Sequence, residues 1–386
     1  MNRAHKTRIY PNNVKASKLL QHCGISRLTY NVCLAKWNED YKRGVKHNYY
    51  TIKKWWNSIK REEFPFAYDV SKWCQEAAIK DLDGAFKKMF KKQNKHPRFH
   101  KKGVHDSFRI DGSVIKIDGK YLHLPKGITL RMAEPLRYEV TKINNVTVSR
   151  TADMWFVSIS CEIPDIPRES QSGEVGIDLG IKTLAVLSDG TVYENHQALK
   201  KFEKKMTRLQ RSLSRKKKGS NNRKKAKNKV ARCHYKISCL RKDVTHKMTT
   251  DIANSYGMVY LEDLNVKGMV KNRKLAKALS NVSFGEIRRQ LEYKTNVMVV
   301  DRFAPTSKTC SNCGYVQDMP LSKRTYDCPS CGISLDRDLN AALNIKKLGQ
   351  ALSKVTPVER VLDGAKPRNP QRSRNSTAKR TISSFA

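Results

Sequence analysis

No run of the sequence comes near the roughly 18 apolar residues that a membrane-crossing helix requires, so no membrane partner is expected. The opening residues, Met1 to Asn13, carry charge but no apolar stretch, and no secretory leader is expected. Without one, a large disulfide-built extracellular fold is not expected. The ten cysteines are then read as reduced thiols or metal ligands in a cytoplasmic setting. Internal repeats are absent too, which argues against solenoids and propellers. The scarcest class is acid: 35 Asp and Glu stand against 77 Lys and Arg, a formal charge of +42. That excess goes beyond solubility and asks for a polyanion, either nucleic acid or an anionic surface.

What is present is enough to fold. Hydrophobic residues make up 39% of 386 residues and aromatics 8%, which allows two or three domains and excludes a simple basic tail. Residues 1–10 read as a short strand ending at Pro11. Residues 14–100 read as helical, with Leu19, Leu28, Val32, Trp37 and then Trp55, Trp56, Trp73, Phe86 and Phe90 near helical spacing. These aromatics are either bundle core or platforms on which bases stack. From 104 to 165 the period changes to short β-rich runs punctuated by Asp-Gly, suggesting a small barrel or sandwich. Pro164–Ser172 reads as a linker. Strands follow at Val175–Leu179, Thr183–Leu187 and Met258–Leu261, then a helix at Glu286–Val297 and a strand at Val297–Val300. The tail from Val355 has little periodicity and is expected to be loosely attached.

Residues 198–250 read as a long basic helical pair broken near Lys216–Ser220. Between 201 and 247 there are 19 Lys and Arg against two acids, Glu203 and Asp243. A solvated face needs fewer, and counterion release rewards such a stripe on phosphates. Lys216, Lys217, Lys218, Arg223, Lys224 and Lys225 are therefore candidate nucleic-acid contacts. Lys72 and Gln75, on a helix over Asp69–Lys88, are candidate readers of base edges, with a solvated helix face as the alternative.

Two constellations carry chemistry. Cys310-x2-Cys313 and Cys328-x2-Cys331, fourteen residues apart, match a tetrahedral structural zinc site with every ligand position filled. A redox pair or free thiols are the alternatives. Gly314 and Gly332 supply the positive φ that such knuckles need. The remaining six cysteines show no ligand spacing and read as small buried hydrophobes. The second constellation is made of the scarce carboxylates. Asp178 lies on an apolar strand with Gly176 and Gly180 on either side, which leaves room for something bulky. Glu262 ends a strand. Asp338 opens a helix, where it could equally be a cap. Such carboxylates could converge at one sheet edge and hold Mg²⁺.

Gly176-Ile-Asp-Leu-Gly-Ile-Lys182, Leu261-Glu-Asp-Leu264, the two CxxC knuckles and Asp336-Arg-Asp-Leu-Asn-Ala-Ala-Leu-Asn-Ile345 occur in this order. Together with Pro97-Arg-Phe99, Ser107-Phe-Arg109, Thr245-His-Lys247 and Ala304-Pro-Thr-Ser-Lys308, they resemble the transposon-encoded TnpB (OrfB) family, relatives of small type V CRISPR effectors. The resemblance runs from the first strand to about residue 350. It implies a multidomain α+β chain with an RNase H-like (RuvC) nuclease domain at 171–305 and 333–350. It further implies a zinc-ribbon insert at 306–332, a wedge β-barrel at 1–10 and 104–170, a helical recognition domain at 11–103 and a basic tail at 351–386. By similarity, Asp178, Glu262 and Asp338 are catalytic carboxylates holding Mg²⁺, two ions in all, with Asp336 as the second choice within Asp-Arg-Asp. One structural Zn²⁺ is implied. The implied activity is RNA-guided DNA endonuclease of an insertion sequence. Its partners would be a guide RNA derived from the transposon end and double-stranded target DNA flanked by a short motif. A monomer is favoured, cytoplasmic and associated with the nucleoid through DNA. The alternatives are an RNA-guided repressor without cleavage and an accessory protein of transposition. Nothing resembles the Tyr and His-pair motif of the transposases that such elements encode.

Overall fold

The structure, a computed structural model, describes residues 1–164, 171–320 and 322–355. The tail beyond 355 and most of the expected linker lie outside these residues. The chain opens with β1 (Asn2–Ile9), α1 (Asn13–Lys42), α2 (Tyr49–Glu63) and α3 (Lys72–Phe90). Asn12 starts α1 by accepting the Lys15 N–H at 2.9 Å, and Asn48 with Thr51 forms a capping box at α2. The sequence led to an expectation of helix up to residue 100, but α3 stops at Phe90 and Lys92 adopts a positive φ of 55°.

Short strands then build two small sheets. β2 (Ser107–Asp111), β6 (Lys142–Thr151) and β7 (Met154–Glu162) join β1 in an antiparallel sheet of order β1-β7-β6-β2. β3 (Lys116–Asp118), β4 (Tyr121–Leu124) and β5 (Ile128–Arg131) form a meander, tied to β1 by a bridge between Ile9 and Met132. The helices and both sheets share one hydrophobic core, in which Leu34, Trp37, Trp56 and Phe86 meet Ile110, Leu122 and Val148. Trp37 stacks on Phe86 with ring centres 4.4 Å apart. For these aromatics the core alternative holds, whereas Tyr50, Phe90 and Phe99 are exposed.

The second half is built on a five-stranded sheet of order β10-β9-β8-β11-β12. Its strands are β8 (Glu174–Leu179), β9 (Thr183–Leu187), β10 (Val192–Glu194), β11 (Met258–Glu262) and β12 (Asn296–Val300). β8, β11 and β12 are parallel, while β9 runs antiparallel to both its neighbours, β8 and β10. Between β10 and β11 run α4 (Ala198–Ser214) and α5 (Asn221–Ser255), a hairpin with its own small cluster of Met206, Cys233 and Ile237. Between β11 and β12 lie α6 (Val266–Met269), α7 (Ala276–Val282) and α8 (Phe284–Lys294). The expected helix over Glu286–Val297 thus gives way to β12 at Asn296. The β13 (Thr325–Asp327) and β14 (Ser334–Asp336) hairpin leads into α9 (Arg337–Val355).

Side chains alternate across a strand. Val175, Ile177, Val259 and Leu261 point to a core closed by Met248 and Ile252 of α5 and Ile287 and Leu291 of α8. Gly176 and Tyr260 point the other way, toward α9. A Cβ on Gly176 would stand 2.3 Å from the Ala342 carbonyl oxygen, and one on Gly349 would stand 2.0 Å from the Tyr260 ring. The room beside Asp178 is therefore taken by the backbone of α9, and at Gly180 by the Thr183 carbonyl, which corrects the expectation of space for a bulky group.

Candidate active site

The alternation that turns Gly176 toward α9 turns Asp178 the same way, and Tyr260 brings Glu262 with it. In the parallel ladder Ile177 pairs with Leu261, so Asp178 and Glu262 stand side by side one residue further on, at the carboxyl ends of their strands. Open α/β sheets place their sites at that edge. Ala342 covers Gly176. One helical turn back along α9, about 5.4 Å, is Asp338, and two strand residues on from Gly176, about 6.6 Å, is Asp178. The helix therefore delivers Asp338 to the edge that bears Asp178 and Glu262.

Electrostatics records this meeting. Burial pushes the Asp178 carboxyl up to about 7, and the charges of Asp338 and Glu262 add to it. Burial raises Glu262 as well, with Asp263 adding to it. Asp263 goes the other way: burial opposes its charge, but Arg288, at 2.8 Å, and Arg302 outweigh that and hold it down. Two arginines neutralise Asp263, whereas the like charges around Asp178 outweigh the single opposing Arg337 and Glu262 faces Asp263. Hard oxygen ligands with mutual repulsion are the donor set that fits a divalent cation such as Mg²⁺.

Asp336 and Asp338 divide their work. The Asp336 carboxylate accepts the N–H groups of Asp338 and Leu339, at 2.8 and 3.1 Å, and so caps α9. The cap alternative that the sequence leaves open for Asp338 belongs to Asp336. The nearest cation to Asp338 is Arg324, at 4.0 Å.

Among the described residues, Cys310, Cys313, Cys328 and Cys331 are the group of potential metal ligands whose donor atoms all lie within 4.8 Å of one another. The three carboxylates do not draw together to that extent. Cys310 and Cys331 sulfurs are 3.7 Å apart and those of Cys313 and Cys328 3.6 Å. Sulfurs held tetrahedrally at about 2.3 Å from zinc stand about 3.8 Å apart, so the cluster fits that ion. The knuckles repeat one hydrogen-bond pattern. Cys310 N–H donates to the Tyr315 carbonyl and Cys328 N–H to that of Ile333, at 2.8 and 2.9 Å. Gly314 and Gly332 turn at φ 81° and 73°. The other cysteines are buried as expected except Cys239, which is exposed on α5.

The candidate nucleic-acid contacts divide. Lys216, Lys217, Lys218, Lys224 and Lys225 are exposed. Beside them an open groove of about 750 Å³ follows α4, lined by Lys204, Arg208, Arg211, Arg215 and Lys216. Arg223 instead turns back, its Nη1 donating to the carbonyls of Leu213 and Lys216 at 2.8 and 2.9 Å, and so closes the end of α4. Lys72 is exposed. Gln75 is a correction: it is buried, accepts the Trp56 indole N–H at 3.0 Å and donates to the Ala67 carbonyl at 2.7 Å. Both ends of its amide are satisfied inside the core and none is left for a base. Burial could have been read from the helical spacing of Gln75 with Ile79 and Leu82.

Sequence reasoning also missed Asn340 and Asn344. Both are buried on α9 and bonded to the segment entering the first zinc knuckle. The signal was two amides four residues apart, set among Leu339, Ala341, Ala342, Leu343 and Ile345.

The chain matches three family models: OrfB, described as "Probable transposase", over residues 158–273; a Cas12f1-like TNB domain over 284–345; and an OrfB "Helix-turn-helix domain" over 1–46. In the structure that last segment is β1 followed by a single 30-residue helix. Among solved structures, the chain resembles the Cas12f1–sgRNA–target DNA complex protein at TM-score 0.56 and 16% identity, covering 90% of this chain and 98% of that one. This is a likeness of fold. The relative named "Putative RNA-guided DNA endonuclease InsQ", from Escherichia coli K12, is 32% identical over 90% of this chain and 92% of its own. A Streptomyces pristinaespiralis protein named "Putative RNA-guided DNA endonuclease" is 36% identical over 91% of this chain and 90% of its own. With that identity along nearly the whole length, and with the motif carboxylates and cysteines in place, the chain belongs to the transposon-encoded OrfB (TnpB) family.

Proposed function

We propose that the chain is an RNA-guided DNA endonuclease of an insertion sequence, cutting by RuvC-type, metal-dependent phosphodiester hydrolysis. The observation that carries this is the meeting of Asp178, Glu262 and Asp338 on the α9 face of one sheet edge, where burial and mutual repulsion push Asp178 up to about 7. The sheet order, with an antiparallel hairpin beside three parallel strands, supports an RNase H-like domain over 171–305 and 333–350. The bridge that joins the two N-terminal sheets supports a wedge barrel from 1–10 and 104–170, with 11–103 as the recognition helices, 306–332 as the ribbon and 351–386 as a tail. Two Mg²⁺ ions would supply an activated water and stabilise the leaving oxygen. Asp178 and Glu262 would hold them from the rigid sheet, and Asp338 from the helix. The four cysteines would hold one Zn²⁺, whose filled shell serves structure alone.

Guide RNA and target DNA are the partners on this reading, as the names of the relatives suggest and as the +42 charge fits. Among the described residues no helix is long and apolar enough to cross a membrane. We read the chain as a monomer acting in the cytoplasm on nucleoid DNA. The test is cleavage of a target plasmid by the protein with guide RNA and Mg²⁺, beside Asp178→Ala. Binding without cleavage by the unaltered chain would make it a guided repressor instead.

A further inference from the structure

The helix that bears Asp338 also bears the anchor of the zinc ribbon. Asn340, fully buried, accepts the Ser311 N–H at 2.8 Å through Oδ1 and donates through Nδ2 to the Thr309 carbonyl, also at 2.8 Å. One turn on, Asn344 donates to the carbonyls of Thr306 and Thr309, at 2.8 and 2.7 Å. Lys347 completes the row on the Ser311 carbonyl. Ser311 lies inside the first CxxC knuckle, and Thr306 and Thr309 form its approach. The far side of the ribbon is tied to the same helix start: Arg337 donates from its side chain to the Pro320 carbonyl at 3.0 Å, and its N–H donates to the Arg324 carbonyl at 2.7 Å. Arg324 in turn faces Asp338. A turn with buried, unpaired carbonyls would be costly, so these amides replace water for the loop as well as fixing its place.

We propose that Asn340 and Asn344 are positioning residues that join the zinc knuckle to α9, so that metal in the ribbon governs where Asp338 stands. The steric fit of α9 onto Gly176 of β8, and of its own Gly349 onto Tyr260 of β11, sets the helix against the sheet but leaves its first turn to be held from the ribbon side. Knuckle and first turn therefore move together. A shift of about 1 Å in a reacting group can cost on the order of 10²-fold in rate, so this small lever has a large effect. The inference rests on the carboxylate reading above and adds to it the source of Asp338's rigidity.

The test uses the full chain and titrates Mn²⁺ by electron paramagnetic resonance, with Asp178→Ala setting the baseline. In the zinc-loaded wild type, a Mn²⁺ site that Asp178→Ala removes is expected. Asn340→Ala should weaken it about tenfold or more while zinc content stays at one per chain, as loss of supporting hydrogen bonds commonly does. Asn340→Asp, which keeps the acceptor for Ser311, should recover part of the loss. Removing zinc from the wild type should weaken Mn²⁺ in the same way, and removing it from Asn340→Ala/Asn344→Ala should add little, because the link is already cut. Where Asn340→Ala does not fold, Asn344→Ala serves, since its loss removes donors alone. Mn²⁺ affinity within about twofold of wild type in zinc-loaded Asn340→Ala and Asn344→Ala overturns the proposal. Absence of any Asp178-dependent Mn²⁺ site in the wild type overturns the carboxylate reading itself.

Discussion

Asp336 gives its carboxylate to the backbone of Asp338, whose N–H it accepts at 2.8 Å, and this relieves the Asp338 side chain of the capping role, with Arg324 4.0 Å from it. Asp338→Ala should therefore lower plasmid cleavage by at least about 10²-fold, the scale of a lost or misplaced reacting group. Asp336→Asn retains a good cap and should cut at close to the wild-type rate, while Asp336→Ala should cost about 1 kcal/mol of stability. Thermal melting beside cleavage separates the two roles. An inactive Asp336→Asn together with an active Asp338→Ala would reverse the assignment.

Asp178 gives a pH signature. Its folded pKa, about 7, lies above the ordinary carboxylate value. The stability tied to its protonated form is thus complete below pH 4 and is lost as pH rises through 7. In metal-free protein, Asp178→Asn should raise the Tm at pH 8 by about 3 °C or more and change it little at pH 4. Added Mg²⁺ should raise the Tm of wild type at pH 8 and leave Asp178→Asn unmoved. Equal Tm values for both proteins at pH 8 would remove the electrostatic basis of the site. Cleavage should vanish in the variant while guide RNA binding persists, since RNA affinity comes from the basic surface.

Metal analysis should find one zinc per chain. Cys310→Ser should lose it and loosen the ribbon, with the sheet domain still folded, because a structural zinc contributes folding energy locally. Target engagement should suffer more than guide binding. Full zinc content in Cys310→Ser would count against the four-cysteine site.

The α4–α5 turn offers a contrast between neighbours. Lys216, Lys217 and Lys218 are exposed, and replacing all three with Ala should make the salt dependence of RNA binding shallower by up to about three phosphates. Arg223→Ala removes the donor that closes α4 and should destabilise the hairpin more than it changes that slope. Parallel salt slopes for wild type and triple mutant would move the phosphate path to the flanking helices.

On α3, Gln75→Ala should cost about 1–3 kcal/mol by leaving the Trp56 N–H and the Ala67 carbonyl unpaired. Lys72→Ala should leave stability unchanged, and a randomised-motif cleavage library then shows whether Lys72 reads the flanking DNA. A Gln75→Ala protein of wild-type stability with an altered motif would restore Gln75 to the surface.

Much of the site could be read from the sequence because period-2 alternation is a short-range property. Once Val175–Leu179 and Met258–Leu261 are strands, Asp178 and Glu262 must leave their apolar cores on the opposite face, and register brings them side by side. The zinc knuckles are equally local. What escaped depends on which neighbour a helix turns toward. Gln75 and Lys72 lie within one turn of α3, yet one faces Trp56 and the other solvent. Gly176 reads as open space until α9, over 160 residues away, fills it. Asp336 and Asp338 are alike in sequence, and only the first turn of α9 shows that Asp336 is the cap.

The last of the three carboxylates arrives on α9, the final described helix, about 80 residues after α5 ends at Ser255. At the usual pace of synthesis, about 5–20 residues per second, the basic hairpin exists about 4–16 s before Asp338 does. With α4–α5 on the guide and Asp338 on the metal, as proposed above, the order of elements along the gene would make guide capture the earlier event and cutting the later one.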